Sequence, residues 1–475
     1  MMKVKMPLWT SQTAAEASGG TVTCDFTATG ISINTRTLKP GDLFVALVGP
    51  NADGHDYVAT AFEKGAVAAC VSHRPPVFDP DTPLLMVEDT MQALEDLAVA
   101  GRAKLSGKMI AVTGSVGKTG TKEALKVVLG DQAKTDASLG SLNNHWGLPL
   151  SLARLKGDDV YAVMELGMNH PGELRPLSKM TRPDVCLITT VQAAHTEFFE
   201  NTGQIADAKA EIFEGAEPGW TAVLNADIKE CPRLQAAAQS HGAAKILTFG
   251  EVGDADFGVV SFHLDALGSD VVAKTPLGEV TYRIASPGFH WVSNSLAVLA
   301  CVYAVGGDVF KAGESLAQLT PPQKRGERFE IQISGGAFAL IDESYNASPA
   351  AMCAALAVLG AQPKTGQGRR VAVLGDMLEL GDDTVEHHSH LCEVLIASQI
   401  DVVYLAGEAM HHLWTALPPS MQGHHARTSK DLSEVVKAAI QPGDVVMVKG
   451  SAGINMSHIV EVLRSLEASP RKVED

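Results

Sequence analysis

The clearest chemistry in the chain lies in "IAVTGSVGKTGTKEAL", residues 110–125, where a strand-like run enters Thr113-Gly-Ser-Val-Gly-Lys-Thr119 and continues as a helix. Glycines let such a loop turn until successive backbone N–H groups converge on a phosphate, and the helix N-terminus adds its positive end. Gly114, Ser115, Val116 and Gly117 would form that cradle. Lys118 would place a charge on the β- and γ-phosphates, and the Thr119 hydroxyl would reach Mg²⁺. The loop is a shortened form of the full pattern, since Val112 stands where the first glycine would be. A metal–nucleotide site also needs a carboxylate at a neighbouring strand end. "YAVMELGMNHPGEL" (161–174) supplies Glu165 at such a place.

Two further groups are ambiguous on spacing alone. His195, in "LITTVQAAHTEFF" (187–199), follows a strand end and reads either as a ligand for a second divalent ion or as a surface histidine. Lys209, in "IADAKAEIF" (205–213), lies between Asp207 and Glu211 in a helix, where an ordinary exposed lysine fits equally well. The run "EHHSH" (386–390) reads as a polar helix face, because no third convergent ligand lies nearby. "KGSAGINM" (449–456) is either a second anion-binding turn or a loop.

The elements that would hold these groups alternate. Strands are expected at Met109–Val112, Val160–Glu165, Val185–Thr190, Thr221–Asn225 and Ile246–Phe249, with helices at Lys118–Leu129 and Gln204–Phe213. Such alternation implies a parallel sheet covered on both faces. Residues 257–284 break the pattern and read as antiparallel strands. The first hundred residues read as a smaller mixed α/β unit, with a strand in "LKPGDLFVALVG" (38–49) and a helix at Tyr57–Lys64. "LTPPQKRGERFE" (319–330) marks a boundary, after which strands are expected at Ala337–Ile341, Val371–Leu374, Val402–Leu405 and Val445–Val448. The expected fold class is therefore α/β in three domains: residues 1–107, a central P-loop parallel-sheet domain over 108–318, and a Rossmann-like open α/β domain over 319–475.

Composition bounds the function. The 475 residues are 45% apolar and 20% charged, which excludes a disordered chain. Acidic residues exceed basic ones by 55 − 38 = 17, which argues against a nucleic-acid backbone as partner. The longest apolar run, Leu296–Val305, is ten residues, too short to span a bilayer and suited to a buried helix. The N-terminus lacks the apolar core of a signal peptide. Seven scattered cysteines without a CxxC pair fit a reducing cytoplasm.

Taken together, these segments resemble the Mur ligases of peptidoglycan synthesis, over nearly the whole chain. "TGSVGKT" resembles the family's nucleotide loop, and "MELGMNHPGE" its Mg²⁺-binding glutamate, Glu165. By the same resemblance His195 takes the second metal position, Lys209 is carried as a carbamate, and Asn294 in "WVSNSLAVLA" contacts adenine. "NNHWGLPLSL" (143–152) implies substrate contacts from Asn143 and Asn144. "IDESYNASP" (341–349) implies a nucleotide contact from Asp342 and substrate contacts from Tyr345 and Asn346. With "GDMLELG" (375–381), it points to the branch that adds D-Ala-D-Ala, rather than to sibling ligases or folate polyglutamate ligases.

The chain departs from the family at four places. Asn34 precedes Thr35 and Arg36 where an acidic residue is usual, leaving those two as the uridine candidates. Trp291 replaces an Asn, and Ala452 stands where an Arg is often found. "KRGER" offers Arg325 and Arg328 for the phosphate-contacting arginine, with Arg328 favoured. The resemblance implies a cytoplasmic, monomeric ligase that uses ATP and two Mg²⁺ ions to join UDP-MurNAc-tripeptide to D-Ala-D-Ala. Its first domain would hold the UDP-sugar, its second ATP, and its third the dipeptide. The alternative from another class is a P-loop ATPase or binding module without ligation.

Overall fold

The computed structural model describes residues 7–74, 79–192 and 199–467. Besides a two-stranded ladder of Trp9–Thr10 with Thr27–Ala28, three larger sheets follow one another along the described residues. The first contains β1 (Thr21–Val22), β2 (Gly30–Ser32), β3 (Asp42–Val45), β4 (Ala68–Val71) and β5 (Leu84–Met86), in the order β1-β5-β4-β3-β2. Only the β1–β5 pair is antiparallel. Helix α1 (Thr90–Lys104) follows, capped by the Asp89 carboxylate.

The second sheet is the large one. Its parallel part comprises β6 (Lys108–Thr113), then, beyond helix α2 (Lys118–Gly130), β7 (Thr135–Ala137), β8 (Tyr161–Glu165) and β9 (Val185–Ile188). After helix α3 (Thr202–Ala210) come β10 (Thr221–Asn225) and β11 (Lys245–Gly250). The strands β12 (Phe257–Leu264), β13 (Ser269–Thr275) and β14 (Gly278–Ile284) extend it, with antiparallel pairing from β12 to β14. The order is β14-β13-β12-β11-β10-β9-β6-β8-β7. Strand alternation divides its residues between two cores: β6 sends Ile110 and Val112 to one and Met109 and Ala111 to the other. Helix α4 (Phe289–Ala304) covers the first, and its run from Leu296 to Val302 is fully buried.

The third sheet holds β15 (Glu327–Ile333), β16 (Gly336–Glu343), β17 (Arg370–Gly375), β18 (Val402–Ala406), β19 (Gln422–Ala426) and β20 (Val445–Lys449). Their order is β15-β16-β20-β17-β18-β19, parallel except at β15–β16. Helix α5 (Pro349–Gly360) leads from β16 toward β17, and α6 (Thr384–Ala397) from β17 toward β18. The short strands β7 and β19 and the polar strand β15 were not expected from the sequence. Each is too short or too polar for periodicity to mark, and each is defined by its sheet neighbour.

Polar ties join the units. Trp9 Nε1 donates to the Ala153 carbonyl at 2.9 Å, and Arg154 donates twice to the Ile31 carbonyl, at 2.8 and 3.0 Å. Arg328 donates to the Ala266 carbonyl and to Gln362 Oε1, linking the second unit to the third.

The histidine run is not a uniformly polar face. His388 is buried inside α6's packing, donates from Nδ1 to the Thr384 carbonyl at 2.7 Å and accepts the Met377 N–H at Nε2 at 3.0 Å. It therefore secures the loop after β17 as a neutral imidazole. Burial holds it below its ordinary value, with the Thr384 carbonyl opposing that shift. Unfolded His388 takes up its proton near pH 6.5, while the folded one does so only at lower pH. Between those two values the unfolded chain binds more protons, so this contribution to stability is lost as pH falls below about 6.5. Urea unfolding between about pH 8 and pH 5 should show wild type losing stability more steeply than His388→Gln, by up to ~1.4 kcal/mol per pH unit. Equal slopes would show that His388 is not held neutral.

Candidate active site

The nucleotide-type loop forms because β6 ends beside β9. Thr189 N donates to the Thr113 carbonyl and Ser115 N to the Thr190 carbonyl, both at 2.9 Å. Thr189 Oγ1 donates to the Val116 carbonyl at 2.6 Å. The fit leaves no room at Gly114: a Cβ there would lie 1.9 Å from Thr189 Oγ1, and its φ is +149°. Gly117, at φ +88°, then starts α2. Lys118 Nζ donates to the Gly114 carbonyl at 2.5 Å, holding the ammonium within the loop. Burial lowers its pKa; nearby Glu165 opposes this, and Arg325 adds to it.

Glu165 ends β8 at 1% exposure. Its Oε1 accepts from the Thr119 hydroxyl at 3.1 Å and from Asn143 Nδ2 at 2.7 Å. Its Oε2 is buried without a hydrogen-bond partner among the described residues. An unpartnered buried carboxylate oxygen is costly, and a cation is what satisfies it. Glu165 and Thr119 thus fit a hard divalent ion.

A cavity of about 1530 Å³ opens from this point and runs between the second and third units. Ser115, Val116, Gly117, Lys118 and Thr119 line its floor, with Asn143, Asn144 and Glu165 beside them. Asn294 lines it as well, seated so that its Oδ1 would be 2.9 Å from a Cβ on Gly117. Its amide therefore meets the phosphate loop itself. Asn144 turns its Oδ1 to the Gly147 and Trp146 N–H groups at 2.9 and 3.2 Å, so half of that amide serves the backbone. Tyr345 and Asn346 line the wall contributed by the third unit. Trp291 packs its ring edge over Gly120, in the first turn of α2.

Several expectations change. Arg328 does not line the cavity; its guanidinium is spent on Ala266 and Gln362. Arg325 lines it instead, with its guanidinium carbon 3.9 Å from the Tyr345 ring centroid. Asp342 is buried and accepts from Ser344 N at 2.9 Å. Its neighbour Glu343 lines the cavity, because successive strand residues face opposite sides. Lys209 is only 2% exposed rather than a surface lysine. Its flanking carboxylates serve other groups: Asp207 pairs with Arg233, and Glu211 accepts from Gly172 N. Burial drives the Lys209 amine well below the ordinary lysine range, and Lys118 pushes the same way. Thr35 and Arg36 lie on a separate turn in the first unit, built on Asn34, whose Oδ1 accepts from Arg36 N at 2.9 Å. His195 lies outside the described residues.

Three lining or supporting groups went unread in the sequence. Lys449 ends β20, with Nζ 3.3 Å from Glu343 Oε2 and 3.0 Å from the Asn346 carbonyl. Lys122 is fully buried and donates to the Ser138 and Gly140 carbonyls, both at 2.7 Å, holding the segment that carries Asn143. Its place one turn beyond Lys118 on α2 was the available signal. Glu343 was visible only as the neighbour of Asp342.

Comparison with known proteins follows the same three-part division. The Mur ligase family, catalytic domain matches residues 27–102, the Mur ligase middle domain 112–302, and the Mur ligase, glutamate ligase domain 327–452. The UDP-N-acetylmuramoyl-tripeptide–D-alanyl-D-alanine ligase of Escherichia coli (strain K12) is 36% identical, covering 98% of this chain and 99% of that protein. A crystal structure of MurF from Acinetobacter baumannii superposes with a TM-score of 0.82 at 30% identity, covering 96% of this chain and 99% of the other. The MurF ligase from Thermotoga maritima, solved in complex with ADP, gives 0.75 at 26% identity, covering 92% and 97%. From its sequence likeness along the full length, its three matched domains and its α/β architecture, the chain belongs to the Mur ligase family.

Proposed function

We infer that this protein is an ATP-dependent ligase that adds D-alanyl-D-alanine to UDP-N-acetylmuramoyl-tripeptide, a step of peptidoglycan precursor synthesis. The observation that carries the reading is the single cavity joining the phosphate loop and Glu165 to the Glu343–Asn346 turn. The full-length likeness to ligases of that name favours it over sibling or folate ligases. Residues 1–107 are assigned to the UDP-sugar, 108–318 to ATP and 319–475 to the dipeptide. Thr35 and Arg36 remain the uridine candidates. No helix among the described residues is long and apolar enough to cross a membrane. A cytoplasmic site of action is assigned from the full-length likeness to the ligases of peptidoglycan precursor synthesis.

A carboxylate is a poor acyl donor. Phosphorylation of the tripeptide's terminal carboxylate by ATP gives an acyl phosphate; the dipeptide amine attacks its carbonyl, and phosphate departs with the bridging oxygen. The first step brings two anions together, so fixed positive charge must meet them. Lys118 and Arg325 supply it from the chain. Glu165 and Thr119 would hold Mg²⁺, which when bound neutralises phosphate charge. Walls from two sheet units line the cavity and would shield the activated acyl group from water.

Lys209 is assigned as a carbamate. Its Nζ would bond to the carbon of CO₂ and release a proton, converting a cation into an anionic oxygen ligand. Only the neutral amine can do this, and burial favours that form.

The direct test is a product assay with ATP, the tripeptide precursor and D-Ala-D-Ala. New amide product with one ADP per product is expected, and ADP release without the two substrates would point to a simple ATPase. For Lys209, both Ala and Arg variants should be nearly inactive under matched bicarbonate. An Arg variant within a few-fold of wild type would remove the carbamate assignment. Glu165→Gln should raise the Mg²⁺ concentration for half-maximal turnover by roughly tenfold or more. An unchanged Mg²⁺ curve would make Glu165 a structural residue only.

A further inference from the structure

Arg325 is a long, charged side chain in the same cavity as Lys118, and the two cations repel. Left free, such a side chain would give up rotamer entropy to hold one direction. It also stands in an awkward backbone: Lys324 has φ +61° and Gly326 φ +95°, so the arginine lies between two left-handed residues. For lysine that region is strained, so something must hold the turn. The Arg325 N–H donates to the Pro322 carbonyl at 3.0 Å and the Gly326 N–H to the Asp342 carbonyl at 2.9 Å, and two further contacts come from one residue. The backbone N–H of Tyr345 donates to the Lys324 carbonyl at 3.2 Å, and the Tyr345 ring lies 3.9 Å below the Arg325 guanidinium. On the other side, Arg325 Nη2 reaches Ser141 Oγ at 3.5 Å, at the edge of the segment that carries Asn143.

We propose that Tyr345 is a positioning residue that acts through Arg325: its ring face and backbone N–H aim the guanidinium at the phosphate end of the cavity. The choice of an aromatic partner has a physical reason. A carboxylate would hold the arginine equally well but would cancel the charge that the phosphates need. A ring quadrupole holds the cation and leaves its charge available. The nearby carboxylate of Glu343 is engaged instead by Lys449, at 3.3 Å. Tyr345 thus lines the cavity without its hydroxyl having to touch substrate, which departs from the contact expected of it from sequence.

This inference rests on the reading of Arg325 as the phosphate-contacting cation of the ligase. The experiment compares Tyr345→Phe, Tyr345→Leu, Arg325→Lys, Arg325→Ala and the Leu/Ala double variant. Two readouts are taken: kcat and KM for ATP, and affinity for a non-hydrolysable ATP analogue. Tyr345→Phe keeps the ring face and should stay within about threefold of wild type. Tyr345→Leu should lose roughly 5- to 30-fold in kcat/KM for ATP, the range a desolvated cation–π contact supports. The double variant should be no worse than Arg325→Ala, since the two residues act as one unit. Arg325→Lys keeps the charge, loses the planar stack and should fall as far as Tyr345→Leu; this arm stands even where the Leu variant folds poorly.

The proposal is overturned when Phe falls with Leu, when Leu and Ala losses add, or when Arg325→Lys matches wild type. A wild-type protein that binds the analogue but forms no amide counts against the ligase reading alone. The coupling between Tyr345 and Arg325 is still read from analogue affinity in that case.

Discussion

Glu165 stands opposite Val112 in the parallel ladder between β8 and β6, and the site depends on that register. Val163, two residues earlier, points into the core beneath α2, while Met164 points into the opposite core. A slip of one residue would bury the carboxylate in the wrong face and leave Thr119 without its acceptor. In the observed register Glu165 reaches Thr119 and Asn143 at once. A carboxylate so buried is tolerated only when its oxygens are met, and here one oxygen is met by protein and the other is left for a cation. The ladder that builds the sheet therefore also places the Glu165 carboxylate at the cavity, beside Thr119.

The second requirement is local positive charge in a strongly acidic chain. The net charge is −17, yet Lys118, Arg325 and Lys449 all line one cavity. Each is held differently. Lys118 is held by loop carbonyls, Lys449 by Glu343 and a carbonyl, and Arg325 by the face of Tyr345. Lys209 is buried, does not line the cavity, and is driven toward its neutral form by burial and by Lys118. Loop carbonyls thus hold the Lys118 ammonium, while burial favours the neutral amine at Lys209. Arg328, by contrast, acts as a tie between units, bound to Ala266 and Gln362.

Much of the frame was legible. Buried apolar runs such as Met109–Val112 and Thr221–Asn225 sit in the central sheet, and the helix at Lys118 begins where the glycine pattern places it. The antiparallel extension over 257–284 was also legible as a break in the strand–helix alternation. Gln204–Phe213 is less regular than expected, since the α-helix ends at Ala210 and a tighter 3₁₀ turn follows. Strands of mixed polarity, such as Glu327–Ile333, escaped because hydrophobic alternation in them is weak.

The sequence by itself determined the phosphate loop, the order of α/β units and the presence of Glu165 at a strand end. These are local properties, written in glycine spacing and in runs of apolar residues. Tertiary structure decided which of two neighbours lines the cavity: Arg325 rather than Arg328, Glu343 rather than Asp342. Side-chain direction depends on strand phase and on which partner from another sheet is close enough to claim the group. It also decided the state of Lys209, whose flanking Asp207 and Glu211 turn away to Arg233 and to the Gly172 N–H. Burial is a sum over residues distant in the chain, so no local spacing around Lys209 carries it.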